Sequence, residues 1–434
     1  ALRGCYCTNY SLRGQHSLKK FLLLLIFAAF CLYAYFWRHY FALVLAPPST
    51  FRPRHHYYHE KLRHVNVSQI EKLRNDLIEP LPKWVKEYVS WHAQVRSSGF
   101  KDNNTKILLV SIEEHHSGGL ADRLRSLPFL LWEAMTSERV FLMQWTNPCA
   151  MEEFLLPPLG GIDWTVPRDF DTSDAVWYIY DQHGNTRLTN NDDYKQYTLI
   201  KTWHNPWTFV GGMPLLAKAL NVSTLSDPVF YQIYRLLLTP SPPVQQMMDD
   251  TMHTLCLKHQ EYNGIHLRAR YPGVSDAFQA KSSWFSRSVD ADGFKWTPAA
   301  QQEVLHLVDH AVECLKDEST NKSLPIYFAS DTNEAVKVVT REQNDVVGMV
   351  TPLEKMHLNR NDRVGLVRKT PPSAFYPAIV DLWILSQAKC IAVGAGGFGV
   401  FASILGPSDC IVFHMENSFV GGNAAKYCIE EKEP

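Results

Sequence analysis

The chain has 434 residues, enough for two domains of ordinary size and a sizeable core. Its formal charge of −1 at pH 7 carries no basic bias, which argues against a nucleic-acid partner. Charged residues at 20% and hydrophobic residues at 46% are globular values, slightly rich in apolar residues.

Part of that richness is one segment. Phe21 to Trp37 is unbroken apolar or aromatic sequence, and Phe41 to Ala46 continues it. Residues 21–46 therefore read as a single transmembrane signal anchor, with Tyr33, Tyr35, Trp37 and Tyr40 as interfacial aromatics. Arg3, Arg13, Lys19 and Lys20 precede it and put residues 1–20 in the cytosol. A cleaved signal peptide is the alternative, disfavoured by Pro47 and Pro48 directly after Ala46. Four glycosylation sequons follow the anchor, at Asn66, Asn103, Asn221 and Asn321. Six cysteines follow it too: Cys149, Cys256, Cys314, Cys390, Cys410 and Cys428. Of these, Cys410 and Cys428 are the first expected pair, and buried free thiols at Cys314 and Cys390 are the competing expectation. These features predict a Golgi or ER membrane protein, single-pass type II, with its globular part in the lumen.

Residues 47–104 read as a stem and leading helices. Prolines 47, 48 and 53 break regular structure, and the cluster His55, His56, His59 and His64 fits a juxtamembrane stem better than a metal site. Ile70, Leu73 and Leu77, then Trp84, Val85 and Val89, have helical spacing on either side of Pro80 and Pro82.

Beyond the stem, strands and helices alternate. Lys106 to Ile112 is a strand, Leu120 to Met135 a helix and Val140 to Gln144 a strand, the βαβ signature. Ala175 to Tyr180 and Tyr197 to Lys201 are further strands. Asp227 to Leu238 and Pro243 to Lys258 read as helices at a junction. The second half repeats the logic, with strands at Gly264 to Leu267, Pro325 to Ala329, Val346 to Val350, Cys390 to Val393 and Cys410 to His414. Its helices begin at Thr297-Pro298, a cap with proline in the first position, and at Asn333, Ala374 and Gly399. The expected fold is α/β, with two Rossmann-like domains, 105–250 and 251–434, and a cleft between them.

Three strand ends in the second half carry the chemistry. The first is His266-Leu267-Arg268-Ala269-Arg270, the second Ser330-Asp331, and the third Gly394-Ala395-Gly396-Gly397-Phe398. An arginine fork matches phosphate oxygens and keeps its charge. A glycine run before a helix lets backbone N–H groups approach an anion. Asp331 is suited to accept hydrogen bonds from a base or ribose. Singly, each feature also fits a salt bridge, a helix cap or a tight turn. Three in order at successive strand ends point to a nucleotide site.

Together these residues resemble the GDP-fucose-dependent fucosyltransferases of the α1,2/α1,6/protein O-fucosyltransferase group. The resemblance rests on His266-Leu267-Arg268, Ser330-Asp331 and the run from Asp381 to Phe398, and covers roughly residues 105–415. Gly118-Gly119-Leu120-Ala121-Asp122-Arg123 looks like that family's first glycine loop, on the acceptor side. It implies a GT-B fold and inverting, metal-independent transfer of fucose from GDP-fucose to a glycan or glycoprotein, with no cofactor. By the same resemblance Arg268 holds the β-phosphate, His266 and Asp331 lie near the guanosine, and the loop from Gly394 to Phe398 meets the phosphates. Arg270 and Ser330 belong to the same donor set. Asp276 is the first candidate base, with Glu113 and Glu114 as others. The chain departs from the family pattern in two places: Ala269 stands where a second arginine usually follows the first, and Gly396 or Gly397 stands where a Ser or Thr is usual. Two other classes remain open. A metal-dependent GT-A glycosyltransferase would use an Asp-x-Asp such as Asp290-Ala291-Asp292 or Asp169-Phe170-Asp171. A non-catalytic lumenal binding protein on the same fold is the other.

Overall fold

The structure, a computed structural model, describes residues 67–100, 105–112, 119–145, 149–167, 170, 176–180, 197–202, 216, 218–221, 228–269, 296–318, 323–352, 371–394, 396–408, 410–413 and 426–427. All lie in one compact unit, Pro53–Pro434. Among them no helix is long and apolar enough to cross a membrane, and the expected anchor at 21–46 lies outside them.

Two helices lead in, α1 (Val67–Ile78) and α2 (Lys83–Ser98), separated at the expected prolines. The first sheet holds β1 (Ile107–Ile112), β2 (Val140–Trp145), β4 (Val176–Tyr180) and β5 (Tyr197–Thr202), all parallel, in the order β2-β1-β5-β4. The run Ile107 to Val110 in β1 is continuously apolar because both faces are covered. Leu108 and Val110 join the main core, while Ile107 and Leu109 pack toward Trp91 and Val95 of α2.

The stretch 120–135 is not the single helix its pattern predicts. It is α3 (Leu120–Leu124) and α4 (Leu127–Thr136), parted at Arg125-Ser126. Pro128 explains the break: it has no N–H for the Leu124 carbonyl and would clash in a helix interior. A short antiparallel pair, β3 (Leu155–Leu156) with β6 (Thr239–Pro240), flanks α5 (Pro228–Leu237). The next helix, α6 (Pro242–Thr254), ends four residues before the expected Lys258.

The second sheet comprises β7 (Asn263–Leu267), β8 (Ile326–Ser330), β9 (Val346–Val347), β10 (Cys390–Val393), β11 (Cys410–Phe413) and β12 (Lys426–Tyr427). All neighbours are parallel, in the order β12-β11-β10-β7-β8-β9. Numbered within the sheet this is 6-5-4-1-2-3, the doubly wound order of the Rossmann fold. β9 is an edge strand and shorter than predicted. Val350 is 44% exposed, and Thr351 is instead held by Asn333, whose side chain bonds both its N–H and its carbonyl.

One face of this sheet is covered by α7 (Pro298–Glu318) and α8 (Asn333–Glu342) over Ile265, Leu267, Ile326 and Phe328. The Thr297 hydroxyl caps α7 by accepting the Ala300 N–H. The other face carries α9 (Tyr376–Ser386) and α10 (Gly397–Leu405), which are apolar nearly all round because they are buried nearly all round. Gly264 permits this approach: a Cβ there would meet a Leu385 methyl at 2.9 Å. The core over α9 and α10 is continuous with residues of the first half, including Leu124, Phe154 and Tyr234.

The expected Cys410–Cys428 bridge is replaced by Cys390–Cys410. Sheet register sets these two opposite each other on β10 and β11, with Cα atoms 4.6 Å apart, within bridging range. Cys314 is disulfide-bonded as well, so the expectation of buried free thiols at Cys314 and Cys390 fails; Cys149 and Cys256 are free.

Candidate functional site

The strand order reverses between β7 and β10. Ligands of open α/β sheets settle in the crevice beyond the carboxyl ends of the strands at such a point. The carboxyl end of β7 is His266-Leu267 followed by Arg268, and that of β10 is Val393 followed by Gly394. The two ends are joined, since the Gly394 N–H donates to the His266 carbonyl at 3.1 Å. On the other side β8 ends at Ser330, opposite Leu267.

Between these ends the chain turns into α10. Gly396 is its N-cap residue with φ 95°, a left-handed backbone that favours glycine. A Cβ on Gly396 would lie 3.8 Å from Arg268 Nη1, so this guanidinium runs alongside the loop. The first turn of α10 rests on His266. The imidazole stacks on Phe398 with centroids 5.0 Å apart, and a Cβ on Gly399 would stand 3.0 Å from His266 Cβ. His266 is 6% exposed and thus lies beneath the helix.

Asp331 accepts the Ala269 N–H at 2.9 Å, which fixes the residue directly after Arg268. It does not cap α8; Thr332 does that, its hydroxyl accepting the Glu334 N–H. Ala269 is 1% exposed and packs with Ile265 and Leu267, so an arginine does not fit there. The Ser330 hydroxyl is buried and has no hydrogen-bond partner among the described residues.

A residue that the motifs did not single out enters from the first half. The Arg125 guanidinium lies on Gly397, where a Cβ would be 2.9 Å from Nη1 and 3.1 Å from Cζ. Arg125 is 3% exposed. Its placement follows from the break at Pro128. The Tyr234 hydroxyl donates to the Leu124 and Arg125 carbonyls, at 3.2 and 3.1 Å, in place of the missing helical partner. Burial pushes the Tyr234 hydroxyl well above its ordinary pKa, so it stays a donor. The Tyr234 ring stands edge-on to Phe401 of α10, 5.3 Å between centroids. One tyrosine therefore ties the Arg125 turn to the helix that carries the glycine loop. The only sequence signal for this was Pro128, three residues past Arg125.

The structure thus brings together His266, Arg268, Ser330, Asp331, Gly394, Gly396, Gly397 and Phe398. Arg123, expected on the acceptor side, is buried with its guanidinium over Trp145, 4.7 Å from the ring centre. Gly119 immediately precedes α3. Gly118, Glu113, Glu114, Arg270, Asp276, the Asp122 side chain and both Asp-x-Asp sequences lie outside the described residues, Phe170 excepted. Among the described residues no three of His, Cys, Asp or Glu group as metal ligands.

No protein-family model and no curated protein matches the chain. Among solved structures it is similar to a mutant of Arabidopsis thaliana FUT1 in complex with GDP, at 13% identity and TM-score 0.48, covering 80% of this chain and 81% of that one. It is also similar to the α1,6-fucosyltransferase NodZ soaked with GDP-fucose, at 13% identity and TM-score 0.41, covering 70% and 94%. NodZ from Bradyrhizobium gives 12% identity, TM-score 0.40 and the same coverage.

Proposed function

We propose that this protein is a glycosyltransferase of GT-B architecture that moves fucose from GDP-fucose to a glycan or glycoprotein, with inversion and without a metal. The observation that carries the reading is the position of Arg268 and the Gly394–Gly397 loop at the reversal point of a doubly wound sheet, side by side. In the step envisaged, an acceptor hydroxyl oxygen bonds to the anomeric carbon of fucose. The bond from that carbon to the β-phosphate oxygen breaks, and GDP leaves with the electron pair. The hydroxyl proton passes to a carboxylate, for which Asp276 is the proposed base. Arg268 is the cation that meets charge building on the diphosphate, and the N–H groups opening α10 add to it.

The donor set of this reading also includes Arg270 and, near the nucleoside, Asp331 and Ser330. His266 enters it as the support of the loop. Lumenal residence behind a membrane anchor at 21–46 belongs to the same proposal. Two features support lumenal residence: the Cys390–Cys410 bridge, which suits an oxidising compartment, and the exposed Asn221 within a sequon.

The test is to incubate the full-length chain with a panel of GDP- and UDP-sugars and glycan acceptors, with and without EDTA. EDTA-resistant transfer from GDP-fucose is the expected result, abolished by Arg268→Ala. Strict Mn²⁺ dependence with a UDP-sugar would overturn it in favour of a GT-A-type activity. Nucleotide binding without turnover would identify a binding protein on this fold.

A further inference from the structure

We infer that Arg125 is a second phosphate-binding cation of the donor site, delivered by the first half of the chain to a loop on the second. The inference rests on the nucleotide-sugar reading above and names a residue that this reading does not use.

Two guanidiniums flank one dipeptide. Arg268 runs beside Gly396, and Arg125 lies directly on Gly397. Gly397 is also the first residue of α10, so the positive end of the helix faces the same spot. Three groups of one sign from three chain segments converge there, and each raises the attraction of that spot for an anion. A diphosphate carries enough oxygens to accept from both forks at once.

Gly397 itself matters to the arrangement. Any side chain there would place its Cβ against the Arg125 guanidinium at 2.9–3.2 Å and push it off the loop. The pose of Arg125 is built rather than incidental. Its side chain is buried, its carbonyl and that of Leu124 are held by the Tyr234 hydroxyl, and Tyr234 is locked against Phe401. The donor site is therefore complete only when both halves of the chain are in contact.

The test compares binding of GDP, GMP and guanosine to the full-length wild type, Arg125→Met, Arg125→Lys and Tyr234→Phe by titration calorimetry, with folding checked by circular dichroism. Loss of a fork on a diphosphate should weaken GDP about 10- to 100-fold and leave guanosine within about 2-fold. Lysine keeps the charge and most of the buried stem, so Arg125→Lys carries the test if Arg125→Met does not fold. Tyr234→Phe should weaken GDP less than either, because it loosens the turn and keeps the guanidinium. Wild-type affinity for GDP in a folded Arg125→Lys or Arg125→Met variant would overturn the inference and leave the donor reading intact. So would equal losses for GDP and guanosine, which would make Arg125 a packing residue. A wild-type chain that binds guanosine, GMP and GDP not at all would remove both.

Discussion

The carboxylate of Asp331 accepts the backbone N–H of Ala269 at 2.9 Å, and so the turn after β8 holds the residue that follows Arg268. Because Ala269 is buried with Ile265 and Leu267 just past the end of β7, this bond fixes where the Arg268 side chain departs from the sheet. Asp331→Ala should lower kcat/KM for the donor about 10- to 100-fold, since a displacement near 1 Å of a positioned group costs that order. Asp331→Asn retains an oxygen that accepts from Ala269 and should recover most of the loss. If Asn fails to rescue while guanosine affinity falls with it, Asp331 acts on the nucleoside and not on the turn.

The left-handed backbone at Gly396 leads to a second expectation. A Cβ there meets only ordinary contacts, 3.8 and 3.9 Å from Arg268, so space is not the obstacle. The cost is conformational: φ 95° is a region that L-residues occupy at about 1–3 kcal/mol. Gly396→Ala should lower unfolding free energy by about that amount in denaturant titration, and should weaken GDP as the loop relaxes. An Ala variant as stable as wild type would mean that the loop tolerates another turn.

Much of this region was legible in the sequence, for a physical reason. Strands covered on both faces are mostly apolar, so Gly264–Leu267 and Cys390–Val393 announced themselves, and the polar residues in or directly after such short runs had to stand near strand ends. The order of the strands was not legible, because parallel pairing is decided by crossovers and leaves no local signal. This is why Cys410 was expected to pair with its near neighbour Cys428, whereas register sets it opposite Cys390. Arg125 was hidden for another reason. Apolar spacing runs straight through 120–135, and only Pro128 betrays the break that turns Arg125 toward Gly397.

The Cys390–Cys410 bridge encloses the glycine loop and α10, with a sequence separation of 20. Closing a loop of that length removes unfolded-state freedom worth about 3 kcal/mol in the chain-entropy treatment. The double variant Cys390→Ala/Cys410→Ala should lose about that stability in denaturant. It should also bind GDP more weakly than wild type, because the bridge spans the segment that presents Gly396 and Gly397. Unchanged stability in the double variant would show that strand pairing alone holds β10 to β11.

His92 sets an acid limit on the fold. It is 1% exposed on α2, and its Nε2 donates to the Phe141 carbonyl at 3.1 Å. Burial, with the nearby Arg96 charge, outweighs that bond and the Asp163 carboxylate and lowers its pKa from 6.5 to about 4. The neutral ring belongs to the folded state, while the unfolded chain takes up a proton below about pH 6.5. The unfolded state then binds more protons between those values, so stability is fully present above the unfolded pKa and falls as pH drops toward 4. The part due to His92 is on the order of 2 kcal/mol at pH 5 relative to pH 7. Glu152 is shifted the other way, to about 7, chiefly by burial, and would mask the effect in wild type alone. The difference between wild type and His92→Gln isolates it, because glutamine keeps an N–H for Phe141 and does not titrate. Denaturant unfolding of both at pH 7 and pH 5 should show wild type losing about 2 kcal/mol more than the variant over that interval. Parallel losses would place the titrating group elsewhere.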